Sequence, residues 1–284
     1  MKVLAAEFGV SACCRVLSVP RSTVCYKRKE RLEVDLGRLK LTIQGLLVTW
    51  RGYGVQRMFV QLRGMGVATS RRQVRRAYVE LGLLKKPHRR RVSTTNSRHG
   101  EPIYPNLVKS LKVQAPDQVW AADVTYFRVR SRYGYLALLM DIYTREILGW
   151  QIAFANDTSL TLDALRQAFR SGRIPDIHHS DQGSNYAAKL YVLQLQIQGV
   201  KISMTEARRP QDNGFAERLN RTVKEEEILH CEYQTLEEAR VSIAAYVRRY
   251  NEERIHSSLS YRKPAEVFRE WVESQQRGSP LNAS

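Results

Sequence analysis

Three consecutive strand-like segments, followed by alternating helix-like and strand-like segments, most restrict the fold of this 284-residue chain. The strand-like segments are rich in β-branched and aromatic residues, and the second is almost continuously apolar. Helical spacing then alternates with short apolar runs. We predict strands over 119–130, 135–142, 147–155, 174–180 and 200–204, helices over 160–169 and 187–198, and a hairpin turn at 131–134. This order predicts an α/β fold with a mixed five-stranded sheet flanked by helices.

Three acidic residues occupy unusual places on this map. Asp123 interrupts the first strand, where a buried carboxylate is costly unless a partner or a metal offsets it. Asp181 ends the fourth strand just before Gly183, at the kind of strand end where open α/β sheets bind ligands. Glu217 lies in the first turns of a helix entered through Pro210. A salt bridge, a turn and a solvated helix face would explain them singly, but their combination predicts a metal site.

The predicted ligands are all oxygen atoms, which favours Mg²⁺ or Mn²⁺ over zinc. Two such ions activate the attacking oxygen and stabilise the leaving oxygen in phosphoryl transfer. Arg221 and Lys224 follow Glu217 at helical spacing, so we expect them on its face, where they can bind a DNA phosphate. Arg208 and Arg209 precede this helix and are predicted to grip the strand backbone. A structural Glu–Arg pair explains Arg221 equally well.

The positive charge is concentrated in the first part of the chain. Residues 1–113 contain 24 Lys and Arg against 6 Asp and Glu, whereas residues 114–284 contain 22 of each class. This asymmetry predicts a basic nucleic-acid-binding part joined to a neutral part, although a solubilising basic surface is the alternative. The four cysteines lack zinc-ligand spacing, and no apolar run is long enough to span a membrane. We therefore expect a cytoplasmic, nucleoid-associated protein.

The basic part contains two predicted helix-turn-helix units, at about 5–30 and 50–84. In the first, a short helix over 12–17 and a turn at 18–20 precede a second helix over 21–28. The polar side chains that this second helix would present to DNA are Arg21, Ser22, Thr23 and Lys27. A helical hairpin with a solvated basic face explains the same segment.

The second unit carries the stronger signal for DNA binding. Helical spacing over 54–63 ends at Gly64, and Ser70 is placed to cap a helix over 71–81. We predict that this helix buries Val74, Ala77, Tyr78 and Leu81. Its outward residues are Arg71, Arg72, Arg75 and Arg76. Four arginines on one face of a capped amphipathic helix favour contact with DNA phosphates.

Four regions follow from these patterns. They are a helix-turn-helix region over 1–84, a basic linker over 85–113, an α/β core over 114–230 and a C-terminal helical extension over 231–284.

Several motifs resemble one enzyme family. The three acidic residues lie in the segments 120–126 (WAADVTY), 179–184 (HSDQGS) and 212–221 (DNGFAERLNR). These segments resemble the DDE transposases of the retroviral-integrase-like superfamily, as do 250–259 (YNEERIHSSL) and 263–266 (KPAE). The segments 51–54 (RGYG) and 80–83 (ELGL) are similar to the second-reading-frame protein of bacterial insertion-sequence family three.

The resemblance of the core's motifs to this family implies that 114–230 is a ribonuclease-H-like catalytic core, with divalent metal held by the three acids. It further implies cleavage at transposon ends and attack of the freed 3′-hydroxyl on target DNA, with Lys224 matching a basic residue of the family. The implied partners are terminal inverted repeats and target DNA, further copies of the chain, and an upstream-frame protein or frameshift fusion. The His and Cys zinc module of retroviral integrases is missing, so no zinc is expected.

Two other functions remain open on the sequence. A non-catalytic DNA-binding regulator derived from a transposase would bind DNA through residues 1–113 without metal-dependent nicking. A ribonuclease-H-type nuclease would hydrolyse DNA without joining it.

Overall fold

The computed structural model describes residues 9–25, 35–84, 102–206 and 210–278. Contacts divide the chain into two compact units, residues 1–35 and residues 36–284. In the first unit, helix α1 (Val10–Val16) is followed by the short helix α2 (Arg21–Val24), which begins directly after Pro20. Proline suits this position because its missing N–H would have no partner within the helix.

The second unit opens with three helices, α3 (Leu36–Thr49), α4 (Val55–Gly64) and α5 (Arg71–Glu80). The predicted cap is confirmed, because the Ser70 side chain accepts from the Gln73 backbone N–H and the Gln73 side chain accepts from the Ser70 backbone N–H. The apolar faces of the three helices supply a small core, formed by Leu39, Ile43, Met58, Leu62, Val74, Ala77 and Tyr78. Leu81, which we expected inside, is half-buried. Helix α3 is absent from the sequence prediction.

The sheet confirms the predicted five-stranded mixed architecture. Its strands are β1 (Val119–Val129), β2 (Arg132–Asp141), β3 (Ile147–Ala153), β4 (Ile177–Ser180) and β5 (Lys201–Met204). They lie in the order β3-β2-β1-β4-β5, with β1, β2 and β3 antiparallel and β1, β4 and β5 parallel. Strand β1 is therefore central.

Helices cover both faces of the sheet. They are α6 (Thr158–Phe169), α7 (Ser184–Ala187), α8 (Lys189–Ile197), α9 (Gly214–Glu226) and α10 (Leu236–Glu252), whereas α11 (Pro264–Gly278) packs against α10. One core lies between the sheet and helices α9 and α10, and the other between the sheet and helices α6 and α8. Alternate residues of β1 enter opposite cores, as Trp120 and Ala121 do. Among the described residues, no helix has the length and apolar character needed to cross a membrane.

The predicted hairpin turn at 131–134 is wrong. The turn occupies Arg130 and Ser131, and Arg130 adopts a left-handed conformation with φ 50°. Gly134 belongs to β2, where it lies opposite Phe127 of β1. A Cβ atom on Gly134 would come within 2.8 Å of the Phe127 ring, so the glycine allows close packing across the strands.

The predicted helix over 187–198 is interrupted. Ala188 has extended backbone angles, φ −60° and ψ 137°, so it separates α7 from α8. Both helices still pack against the sheet through buried residues such as Tyr186 and Tyr191.

A buried ion-pair cluster joins helix α4 to α9, α10 and the residues that follow α10. The Glu226 carboxylate accepts hydrogen bonds from Arg254 Nε and Nη2, both at 2.7 Å, from Arg57 Nη1 at 3.1 Å and from the Tyr246 hydroxyl at 3.1 Å. We call these four residues the Glu226 cluster. Burial raises the pKa of the Glu226 carboxyl, but the hydrogen bonds and charge of Arg254 and Arg57 outweigh it, so the net pKa is lowered.

Two of the segments that resemble the transposase family, 51–54 and 250–259, meet at this cluster. Gly52 lies against Glu226 so closely that an added Cβ atom would overlap the Glu226 side chain. The hydroxyl of Tyr53 accepts a hydrogen bond from the Ile255 backbone N–H at 3.0 Å, and Tyr78 donates to the Tyr53 carbonyl at 2.9 Å. The segments 51–54 and 250–259 therefore hold the helices α4 and α5 against the rest of the second unit.

Candidate active site

Asp123 and Asp181 are brought together by the parallel pairing of β1 and β4. The pairing ends with Ala121 opposite His179, and each carboxylate lies two residues further along its own chain. Both acids line one cleft of about 500 Å³. Strand β1 continues to Val129, beyond Ala121, the last residue that pairs with β4. The part of β1 beside the cleft is therefore not paired with β4.

The environment of Asp123 favours its neutral form unless a cation is present. Burial, the Asp181 carboxylate and the more weakly acting Glu217 carboxylate raise the pKa of Asp123 to about 7. Two hydrogen bonds oppose this rise, one from the Val124 backbone N–H at 2.9 Å and one from Asn220 Nδ2 at 2.8 Å. Asp181 is itself oriented by the Gly183 backbone N–H, which donates to its Oδ1 at 3.0 Å.

Glu217 lies in the first turn of α9, and its side chain is exposed. Partial burial of the carboxyl raises its pKa, the Arg221 charge lowers it and the Asp181 charge raises it further. The three acids therefore act on one another electrostatically. Within the described ranges, however, no three Asp, Glu, His or Cys side chains are close enough together to form a metal-holding group.

Two asparagines attach α9 to the central strand, and the sequence analysis did not identify them. Asn213 Nδ2 donates to the Ala122 carbonyl at 3.0 Å, and Asn220 Nδ2 donates to Asp123 Oδ2 at 2.8 Å. The Oδ1 atoms of both asparagines are buried and have no hydrogen-bond partner among the described residues. The sequence could have indicated Asn220, because it follows Glu217 by three residues and therefore lies on the same side of the helix.

His179, near the end of β4, holds the segment before α9 in place. Its Nδ1 lies 2.9 Å from Ser203 Oγ and its Nε2 lies 3.2 Å from the Asp212 carbonyl oxygen. Burial lowers the pKa of His179, which keeps the ring neutral. The Asp212 carboxylate accepts hydrogen bonds from Asn106 Nδ2 at 3.1 Å and from the Glu206 backbone N–H at 3.3 Å. His179 and Asp212 therefore fix the segment that leads into α9.

Comparison with known proteins assigns the family. Residues 113–210 and 198–264 each match a family described as the integrase core domain. An insertion element IS600 uncharacterized 31 kDa protein from Shigella sonnei is 36% identical, over 90% of this chain and 97% of its own length. The transposase for insertion sequence element IS904 from Lactococcus lactis subsp. lactis (strain IL1403) is 30% identical, over 84% of this chain and 96% of its own length. The chain belongs to the integrase-like insertion-sequence transposases.

A solved structure is also similar to the transposase. The HTLV-2 integrase catalytic core domain in complex with magnesium is 17% identical, with a TM-score of 0.43 over 54% of this chain and 97% of its own length. The resemblance inferred from the sequence is confirmed by the family matches and the insertion-sequence relatives.

Two of the predicted DNA-contacting residues lie on α9, the helix of the transposase that carries Glu217. Lys224 Nζ lies 4.1 Å from the centroid of the Tyr126 ring, at the margin of the cleft. Arg221 is exposed and acts electrostatically on Glu217, as the structural Glu–Arg alternative also expects. Arg208 and Arg209 fall outside the described residues.

The other predicted DNA contacts belong to the helical part of the transposase. Arg71, Arg72, Arg75 and Arg76 are all exposed on α5. Arg76 Nε forms a surface ion pair with Glu80 Oε1 at 2.9 Å. The prediction of contact with DNA phosphates is therefore stronger for the other three arginines than for Arg76. Arg21, Ser22 and Thr23 are exposed on α2, and Lys27 lies outside the described residues.

Proposed function

We propose that this transposase cuts DNA at the ends of its insertion sequence and joins the freed 3′-hydroxyl to target DNA. The proposed catalytic residues are Asp123, Asp181 and Glu217. The single observation that supports them most is that Asp123 and Asp181 line one cleft, where burial and then the charges of the other acids raise the pKa of Asp123 to about 7. Such a cluster of repelling carboxylates is costly without a cation, and family membership supplies the reaction that would use one.

The proposed residues fit a divalent metal in their donor chemistry, although no three such side chains are gathered into a ligand group among the described residues. The proposed ligand set contains only carboxylate oxygens, and the nearby buried Oδ1 of Asn220 lacks a hydrogen-bond partner among the described residues. These are the donors that Mg²⁺ and Mn²⁺ prefer, so we propose two such ions and no zinc. Bound metal would supply activation of the attacking oxygen and stabilisation of the leaving oxygen.

The protein's own residues position the reaction. Asn213 and Asn220 hold α9 on β1, which keeps Glu217 within electrostatic range of Asp123 and Asp181. We propose that Lys224 and Arg221 bind phosphates of the strand being cut.

The remaining proposals concern partners. The exposed arginines of α5 and the polar residues of α2 support binding to double-stranded DNA, both the terminal inverted repeats and the target. We further propose that several copies assemble on DNA at the bacterial nucleoid, and that an upstream-frame protein or a frameshift fusion takes part.

The deciding experiment is the isosteric substitution Asp181→Asn. We expect it to abolish both cutting and joining of terminal-repeat DNA in Mg²⁺, because it removes a ligand charge, while DNA binding in EDTA stays unchanged. The matched control is Asp163→Asn, at an exposed position on α6 whose carboxylate pairs with Arg166. Strand transfer by Asp181→Asn at the rate of the control would overturn the proposal.

The same assay separates the alternative functions. A nuclease without joining activity would give only hydrolysed ends from the unsubstituted protein. A non-catalytic regulator would bind terminal repeats and give neither product.

A further inference from the structure

Two exposed tyrosines stand beside the catalytic acids. Tyr126 and Tyr133 are 45% and 52% exposed, although large aromatic side chains are usually well covered. Their ring centroids are 5.6 Å apart in an edge-to-face arrangement. Both line the same cleft of about 500 Å³ as Asp123 and Asp181. We call Tyr126 and Tyr133 the tyrosine ledge.

Positive charge lies over both rings of the ledge. Lys224 Nζ is 4.1 Å from the Tyr126 centroid, and the Arg128 guanidinium carbon is 5.1 Å from the Tyr133 centroid. Aromatic rings interleaved with cations are the surface that binds single-stranded nucleic acid, because bases stack on the rings while the cations attract the backbone. Stacking is available only to a base that has left the duplex.

The geometry points to the tyrosine ledge as a binding site for one unpaired base of the DNA strand next to the cut. This inference rests on the proposed function, since it places the base beside Asp123 and Asp181. The cleft volume lies within the range of pockets that bind small ligands. A base held there would draw the strand away from its complement and fix the phosphate at the acids.

A purely structural role for the ledge makes different predictions. Tyr126 lies directly opposite Tyr135, and Tyr133 opposite Arg128, so cross-strand contacts could be the whole reason for these side chains. In that case, losing a ring would lower stability and affect every DNA substrate equally. A base-binding role instead requires the loss to depend on whether the base is paired.

Photo-crosslinking tests contact directly, without catalysis. Terminal-repeat duplexes carry 5-iodouracil at single positions on either side of the cut and are bound in EDTA. We expect crosslinks at one position beside the cut, mapping to Tyr126 or Tyr133 by mass spectrometry. The matched control is Phe215, a 44% exposed ring beneath Arg145 that lies outside the cleft, and it should not crosslink at that position. Crosslinks that never map to the ledge would overturn the inference.

Kinetics provide the second measurement. On a fully paired end, we expect Tyr133→Ala and the double variant with Tyr126→Ala to cut about 5- to 100-fold more slowly, as lost base–aromatic stacking predicts. An end with non-complementary bases at the cut should reduce this loss, because unpairing no longer has to be driven by the protein. Tyr133→Phe keeps the ring and should retain most of the rate. Equal losses on paired and unpaired ends would overturn the inference.

The two failures remain distinguishable. If the unsubstituted protein cuts neither substrate in Mg²⁺, the proposed function fails. If it cuts both, and the alanine variants cut both at the rates of the unsubstituted protein, only the ledge is wrong. Should the double variant not fold, the more exposed single position, Tyr133, gives the answer alone.

Discussion

Replacing Glu226 with alanine is expected to destabilise the transposase by about 3–5 kcal/mol, because the Arg254 guanidinium would stay buried without its counter-charge. Glu226 and Arg254 are only 5% and 4% exposed, and two hydrogen bonds of 2.7 Å join them. Arg57 and Tyr246 would each lose a hydrogen bond as well. For a unit of this size, the expected fall in melting temperature is roughly 6–20 °C.

Thermal and urea unfolding followed by circular dichroism measure this loss. The matched control is Glu270→Ala, which breaks an ion pair with Arg262 whose side chains are each nearly half exposed, and it should cost less than about 1 kcal/mol. Replacing both Glu226 and Arg254 with apolar residues should recover much of the loss, since the most deeply buried charge is then removed and only the partly exposed Arg57 loses its ion pair. A loss from Glu226→Ala no larger than that of the control would refute the reasoning.

Three further predictions follow from local geometry and charge. Gly52→Ala should destabilise the protein strongly, because its Cβ atom would overlap the buried carboxylate, whereas Gly64→Ala meets nothing within 4 Å and should be tolerated in the same unfolding assay. Burial lowers the pKa of His178 to about 3, so as pH falls below about 6.5 the unfolded chain takes up a proton that the folded protein does not. Stability should therefore fall by up to about 1.4 kcal/mol per pH unit between pH 6.5 and 3, and His178→Gln should flatten this slope in urea titrations. Replacing both Arg72 and Arg75 with alanine should weaken DNA binding. The slope of log affinity against log salt concentration should fall by the amount expected for roughly two phosphate contacts, and an unchanged slope in binding titrations would contradict this.

The sheet and the capped arginine helix could be predicted because their signals are local. β-branched and aromatic residues mark β1 to β3, and Ser70 with Gln73 forms a cap within four residues. Helix α3 was missed because its pattern is not cleanly amphipathic. Leu39 and Ile43 are buried, but Leu41 and Val48 are each 71% exposed, so apolar residues occur on both faces.

The misplaced turn shows a different limit. Glycine near a strand end predicts a turn, yet Gly134 is required by the ring of Phe127 on the neighbouring strand. That requirement depends on the register of two strands, which the local sequence does not carry.

For the candidate site, the three acids could be selected because Asp123 interrupts an apolar strand, Asp181 follows a strand end and Glu217 lies near the start of a helix. The residues that hold them could not. Asn213 and Asn220 contact β1 across 91 and 97 residues of chain, and each looks like an ordinary polar helix residue. Arg254 and Glu226 would likewise be predicted at the surface, because charged residues are rarely buried unless they are paired.

The contact between Tyr53 and Ile255 joins residues 202 positions apart, and this has a consequence for synthesis of the chain. At the usual rates of translation, Tyr53 is synthesised about 10–40 s before its partner Ile255. During that interval the helices α3 to α5 lack the surface on which they finally rest. We therefore expect a nascent or prematurely terminated chain to expose these apolar contacts to proteases. Helix α5, which carries the exposed arginines, should resist proteolysis only in molecules whose catalytic fold has been completed.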